Sequence, residues 1–253
     1  AQGATSVDPA RAEGLVRALG TAALWLNSAT DFAEPEGRPL LMSRQDWARA
    51  TLPLWQEMSK PVATALAEAI ATLMRDQGPE EMRELLGSSP VLVSMTTGLF
   101  TLQLSQVVGG LSKEVLSAGD IGVPLLQASG EHDVRSGLVP QNMDAFSDGL
   151  GIPREEVDLY LAIRELAHQR LFRHARWLRN HVLSLVGDFA RGIHIDGEAI
   201  MDLAESLNPN DPDEISRILS SGALLPERTE AQNRALERLE TMLALIEGWV
   251  DHV

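Results

Sequence analysis

Apolar residues recur three and four positions apart along most of this chain, and no long stretch alternates with the period of two that a half-buried strand requires. That pattern commits the chain to helices packed on helices. Asp8-Pro9 has the form of an N-cap followed by proline in the first turn, and opens a helix to about Asn27. Ser43 caps a second helix carrying Trp47, Leu54 and Trp55, with a break or kink expected at Pro61 before a helix to about Gln77. A short helix is expected after Gly78-Pro79. Further helices are predicted at about 153–174, 176–191, 197–206, 211–220 and 229–253, punctuated by Asn208-Pro209-Asn210-Asp211-Pro212.

From Pro90 to about Leu116 the chain is apolar but interrupted by Ser94, Thr96, Thr97, Thr101, Gln103, Ser105 and Gln106. A bilayer span needs about 20 mostly apolar residues, so this stretch reads as a core helix and no membrane span is expected. Glycines and turn signals such as Ala118-Gly119-Asp120 and Ser129-Gly130 gather between 117 and 152, with room for short strands around Val123–Leu126 and Leu138–Val139. The expected organisation is mainly α, with at most short strands in the central loop region. It comprises an N-terminal helical layer (1–118), a Gly/Pro-rich connector (119–152) and a C-terminal helical half (153–253), the halves able to join in one domain.

Charge and cysteine content narrow the function. Thirty-six acidic against 21 basic residues give a net charge of −15, which repels phosphate backbones and anionic lipid and excludes non-specific nucleic-acid binding. The absence of cysteine excludes disulfide scaffolds, thiolate zinc sites, iron–sulfur clusters and cysteine nucleophiles, so any metal must sit on His and carboxylate. It also fits a reducing cytoplasm, and the first residues carry no basic-then-apolar signal pattern. Only Lys60 and Lys113 among the 21 basic residues are lysines, a bias that GC-rich coding produces. The chain begins at Ala1 without Met and reads as a fragment or a trimmed product.

One helix carries a constellation with chemical content. The inward stripe of 153–174 runs Val157, Leu161, Arg164, His168, Leu171. A guanidinium and an imidazole on such a stripe cost several kcal/mol to bury alone, so both require partners. The spacing Arg164-Glu165-x-x-His168 is that of the His-Glu-x-x-His helix motif with its first His replaced by Arg. In the intact motif two His residues four apart hold Zn²⁺ from one helix face and the Glu activates the bound water. A third ligand in many such enzymes is a Glu on a later helix, often followed four residues on by an Asp. Glu247 and Asp251 have that spacing beside the apolar stripe Leu239, Leu243, Ile246 and Val250.

These stretches make the sequence similar to a known family. Asp120-Ile121-Gly122-Val123-Pro124-Leu125, Leu138-Val139-Pro140-Gln141-Asn142, Tyr160 to Phe172, Trp177-Leu178-Arg179, Asn208 to Pro212 and Leu236 to Val253 resemble the actinobacterial zincin-like metallopeptidases. That family is described as candidate hydrolases, with some members associated with biosynthesis of a deazaflavin coenzyme. The resemblance spans nearly the whole chain, and relatives continue past Val253. It implies a zincin-like multi-helix fold in which Glu165 would be the general base and His168 and Glu247 metal ligands. Arg164 departs from it, because Arg stays protonated and is not a normal zinc ligand. Two protein ligands fall short of the three that catalytic zinc usually has.

Two functions follow. One is a metal-free, catalytically degenerate pseudo-protease acting as a binding or scaffolding module for a protein or peptide, with Arg164 paired to Glu247 or Glu165 in place of the cation. The other is an active metal-dependent peptidase or hydrolase, zinc being the expected metal, with Glu165 as general base and the metal on His168, Glu247 and another carboxylate or histidine brought in by folding. A third, intermediate reading keeps a cleft that holds a peptide without cutting it. The sequence names no substrate and no oligomeric state.

Other residues read as structural. Trp25, Trp47, Trp55, Trp177 and Trp249 are expected core anchors. Tyr160 is expected as a buried phenol, with oxyanion stabilisation as its role in an active enzyme. The Arg run 170–179 reads as a solvated face paired with the protein's own carboxylates. His174 and His181 read as exposed or singly hydrogen-bonded, His194 beside Asp196 as loop and cap chemistry, and His132 and His252 as isolated. No phosphate-binding glycine loop, dinucleotide fingerprint or Gly-x-Ser-x-Gly elbow occurs.

Overall fold

The computed structural model describes residues 7–34, 37–77, 90–126, 135–193 and 228–253. Among these the chain is mainly helical. The helices are α1 (Pro9–Ala29), α2 (Arg44–Gln77), α3 (Pro90–Leu111), α4 (Pro140–Ser147), α5 (Arg154–His174), α6 (Trp177–Ala190) and α7 (Glu230–His252). Two short strands, β1 (Leu40–Leu41) and β2 (Gly137–Leu138), pair in parallel with Leu40 opposite Gly137. The helices expected after Gly78-Pro79 and at 197–206 and 211–220 fall outside the described residues, as do His132 and His194. No helix among the described residues is long and apolar enough to cross a membrane.

Local chemistry sets the helix starts. The Asp8 carboxylate accepts from the Ala10 N–H at 3.3 Å, with Pro9 in the first turn of α1. At α2 the Ser43 hydroxyl accepts from the Asp46 N–H at 3.1 Å and donates to the Asp46 carboxylate at 2.6 Å. Of the break or kink expected at Pro61, the break does not occur: α2 runs on through both Pro53 and Pro61. The 34-residue helix tolerates the lost backbone donors where burial of Trp47, Leu54 and Ala67 outweighs them. The expected strand at Val123–Leu126 is also absent. That stretch takes irregular backbone tied by Leu125 N–H to the Ala118 carbonyl at 3.1 Å, and β2 pairs with β1.

Contacts group the chain into two units. The first comprises Ala1–Met58, Leu104–Leu183 and Leu239–Val253, the second Ser59–Gln103 and Ser184–Arg238. The first unit has two apolar clusters. One gathers Met42, Trp47, Leu54, Val115, Phe172 and Ile246, and the other Leu15, Leu19, Leu26, Met143, Leu161 and Val250. Each such side chain, fully buried, contributes about 1.5–3 kcal/mol. Helix α5 feeds both clusters, and every residue from Glu165 to Phe172 is buried. A helix enclosed on all sides must partner each polar group it carries.

That enclosure overturns the solvated reading for Arg170, while Arg176 is exposed as expected. Arg170 is fully buried, donating to the Phe32 carbonyl at 3.3 Å, the Ala23 carbonyl at 3.2 Å and the Asn27 side-chain oxygen at 2.7 Å. Burial lowers its pKa, with Glu34 acting the other way. Arg179 does pair with Glu57 as expected of a surface cation. Two tryptophans also differ from expectation, Trp25 being 57% and Trp177 60% exposed. Trp25 lies beside the buried Leu15, Leu19, Ala22 and Leu26 face of α1 but not on it, and Trp177 sits in the first turn of α6, edge-on to His181. Trp47 is fully buried and donates to the Ser117 carbonyl at 3.2 Å.

Candidate functional site

The chemistry-bearing residues of α5 and α7 meet inside the first unit. His168 is 2% exposed and directs Nε2 at the Glu247 Oε1, 2.9 Å away, while its Nδ1 lies 2.9 Å from the Arg164 carbonyl oxygen. A carbonyl can only accept, so the contact at Nδ1 is made through a proton on that nitrogen. Arg164 donates through one terminal nitrogen to the other oxygen of Glu247, and through its second to Asp251. The spacing of four between Glu247 and Asp251 puts both carboxylates on one face of α7, and that face receives a single guanidinium fork.

The electrostatics follow from these contacts. Burial pushes the Glu247 carboxyl up, but hydrogen bonds and charge from His168 and Arg164 more than offset it and hold it below the usual carboxylate range. Burial likewise opposes the charge on Arg164, and the Glu247 hydrogen bond and charge outweigh it and raise that group above its ordinary value. Tyr160 is 53% exposed, not a buried phenol. The Arg164 guanidinium carbon lies over its ring, 5.9 Å from the centroid, the two residues being one helical turn apart.

Glu165 takes a different course. It is fully buried, and its Oε2 accepts from the Gly119 N–H at 2.8 Å. Its Oε1 accepts from the Gly137 N–H at 2.7 Å and the Gln169 amide at 3.1 Å. Burial raises its pKa, with the Gly137 N–H, the Ser117 hydroxyl and the Gly119 N–H pulling the other way. The motif carboxylate thus fastens the loop after α3 and strand β2 to α5.

Sequence reasoning missed the residues that enclose this site. Gly119 packs so closely that a Cβ there would lie 3.0 Å from the Glu165 Oε2 and 3.2 Å from the His168 Cβ. Gly122, at φ +79, would bring a Cβ to 3.1 Å from Leu243 and 3.5 Å from the Glu247 Oε1. The clustered glycines of 117–152 were the available signal, legible as turns but not as a close approach to a distant helix.

A catalytic zinc ion takes three protein ligands. The donors aligned here are His168 and Glu247, and among the described residues no three His, Asp or Glu side chains gather in a group able to hold a metal. The position of the first motif ligand carries a cation, and both oxygens of Glu247 are already bonded. Among the described residues the donor set does not make up the three ligands of a catalytic zinc ion.

A mainly helical fold with a Glu-x-x-His helix facing a glutamate on a later helix is a zincin-like arrangement. The chain belongs to the zincin-like metallopeptidase family, whose model matches residues 1–253. It is also similar in structure to a candidate hydrolase with a novel fold from Chloroflexus aurantiacus, at 16% identity and a TM-score of 0.49 over 98% of this chain and 74% of that one. No curated protein matches the chain.

Proposed function

We propose that this protein is a catalytically degenerate member of its family, a metal-free pseudo-protease whose fold serves as a binding or scaffolding module for a protein or peptide partner. The observation that carries the reading is Arg164 donating to Glu247 and Asp251 while His168 bonds the other oxygen of Glu247. A permanent cation stands where the motif calls for a ligand, and it neutralises the same carboxylates a metal would. The hydrogen bonds of Glu165 support the same reading. A general base must reach a water at the reacting centre, whereas both oxygens of this carboxylate accept backbone N–H groups out of solvent contact. A cytoplasmic, actinobacterial setting belongs to the proposal, supported by the cysteine-free, arginine-for-lysine composition.

The test is reversion at position 164. Arg164→His restores the third donor beside His168 and Glu247 and should bring zinc binding detectable by chelator competition, which the unaltered protein lacks. Zinc-dependent peptide cleavage by the unaltered protein would instead establish the alternative, an active metal-dependent peptidase using Glu165 as base.

A further inference from the structure

We infer that the second unit carries a binding site for a small phosphate-bearing ligand, in a cavity of about 510 Å³ where the end of α6 meets the start of α7. Three arginines line it: Arg191 just after α6, and Arg234 and Arg238 one turn apart on α7. Among the described residues of the lining Asp188 is the one acid, so these residues carry a net positive charge in a chain whose formal charge is −15. Sequence composition alone would not place a cationic cavity in so acidic a protein. The arginines come from segments some forty residues apart in the chain, which fold into one wall.

The present partners of these arginines are exposed and exchangeable. Arg191 pairs with Asp188 and Arg234 with Glu230 at 3.2 Å, the two arginine side chains being 75% and 60% exposed. Such pairs are weak in water, and a multivalent oxyanion that engages several guanidinium forks at once displaces them. Arg238 has no ion pair among the described residues. Small apolar residues lie between the arginines. Ala231 and Ala235 face the cavity, and below it the buried Gln232 donates to the Phe189 carbonyl at 3.4 Å. A Cβ on Gly192 would lie 2.4 Å from the Gln232 side chain, so the α6 end is seated directly on α7. Thr229 and Gln232 cap α7 reciprocally, at 2.9 and 3.2 Å, which fixes its N-terminus and the positive end of its dipole at the cavity. The volume suits a ligand of metabolite size, and among the described residues the lining offers no aromatic face on which a base could stack. Planar forks from the turn after α6 and from α7 match the oxygens of a phosphate or diphosphate group.

Isothermal titration of the full chain with inorganic pyrophosphate and with ribose 5-phosphate tests the site. Saturable 1:1 binding is expected, weakened at least tenfold in Arg234→Gln/Arg238→Gln and unchanged in the control Arg49→Gln, whose side chain is 71% exposed in the first unit. Tighter binding of the sugar phosphate assigns the site to phosphate esters, and tighter binding of pyrophosphate to the free anion. No saturable binding of either probe, or binding undiminished in the double variant, overturns the proposal.

Discussion

Arg164 holds Glu247 on the one carboxylate oxygen that His168 leaves free. The two partners of Glu247 sit one turn apart on α5, so a single side chain on α7 is clamped by a guanidinium and an imidazole from the same helix face. Where the family motif offers two imidazoles to a metal, this chain offers one imidazole and a cation to a carboxylate.

The clamp has unequal arms. The side chains of Arg164 and Glu247 are 22% and 33% exposed, whereas Asp251 is 61% exposed. Hydrogen bonds to charged groups contribute about 1.5–3 kcal/mol when sheltered, and exposed ion pairs about 0–1 kcal/mol. A double-mutant cycle with Arg164→Ala, Glu247→Ala and Asp251→Ala, followed by urea denaturation, should give a coupling of about 2 kcal/mol for Arg164–Glu247. Arg164–Asp251 should couple by less than about 1 kcal/mol.

The acid limb of stability should carry the signature of Glu247. Its folded carboxyl titrates below the usual range, so its stabilisation is complete above the unfolded value of about 4.3 and fades as pH falls through the lower, folded value. Thermal melts of the unaltered protein and Glu247→Gln between pH 7 and pH 3 should show a gap at neutrality that closes on acidification. A gap constant with pH would mean that the carboxylate charge has no part in it.

Glu165 should behave as a structural fastener. In Glu165→Gln the amide nitrogen faces one of the two backbone N–H groups, leaving a buried donor without an acceptor at a cost of about 1–3 kcal/mol. Gly119→Ala attacks the same contact from the other side, placing a methyl 3.0 Å from the carboxylate, with overpacking expected to cost about 1–3 kcal/mol. Because both changes loosen one contact, their effects on the urea midpoint should be less than additive.

Arg170 makes the complementary case. Its guanidinium meets two carbonyls and an amide oxygen in the interior, a fork that the point charge of lysine cannot reproduce. Arg170→Lys should destabilise by about 2 kcal/mol or more, against less than about 0.5 kcal/mol for Arg49→Lys on the surface.

Much of this architecture was legible because helical spacing and capping are local. Asp8-Pro9 and Ser43 mark the starts of α1 and α2, and the four–three stripe Val157, Leu161, Arg164, His168, Leu171 located the face of α5 that meets α7. The partners of Glu165 were illegible, since backbone N–H groups of Gly119 and Gly137 leave no mark on side-chain chemistry. The burial of Arg170 was missed for a related reason. A stripe describes one face, and α5 is enclosed on every side from Glu165 to Phe172, so its second face also needed partners, which α1 and Phe32 supply. Strand β1 escaped notice because two residues carry no periodicity, and α2 ran through Pro61 because packing outweighed one lost donor.

The most direct test of the metal-free reading is the metal content of the full chain, purified without a histidine tag and analysed by mass spectrometry after exposure to equimolar zinc and gel filtration. The expected result is less than about 0.1 zinc per chain, because catalytic sites need a third donor that position 164 does not provide. Stoichiometric zinc, lost in His168→Ala, would contradict it.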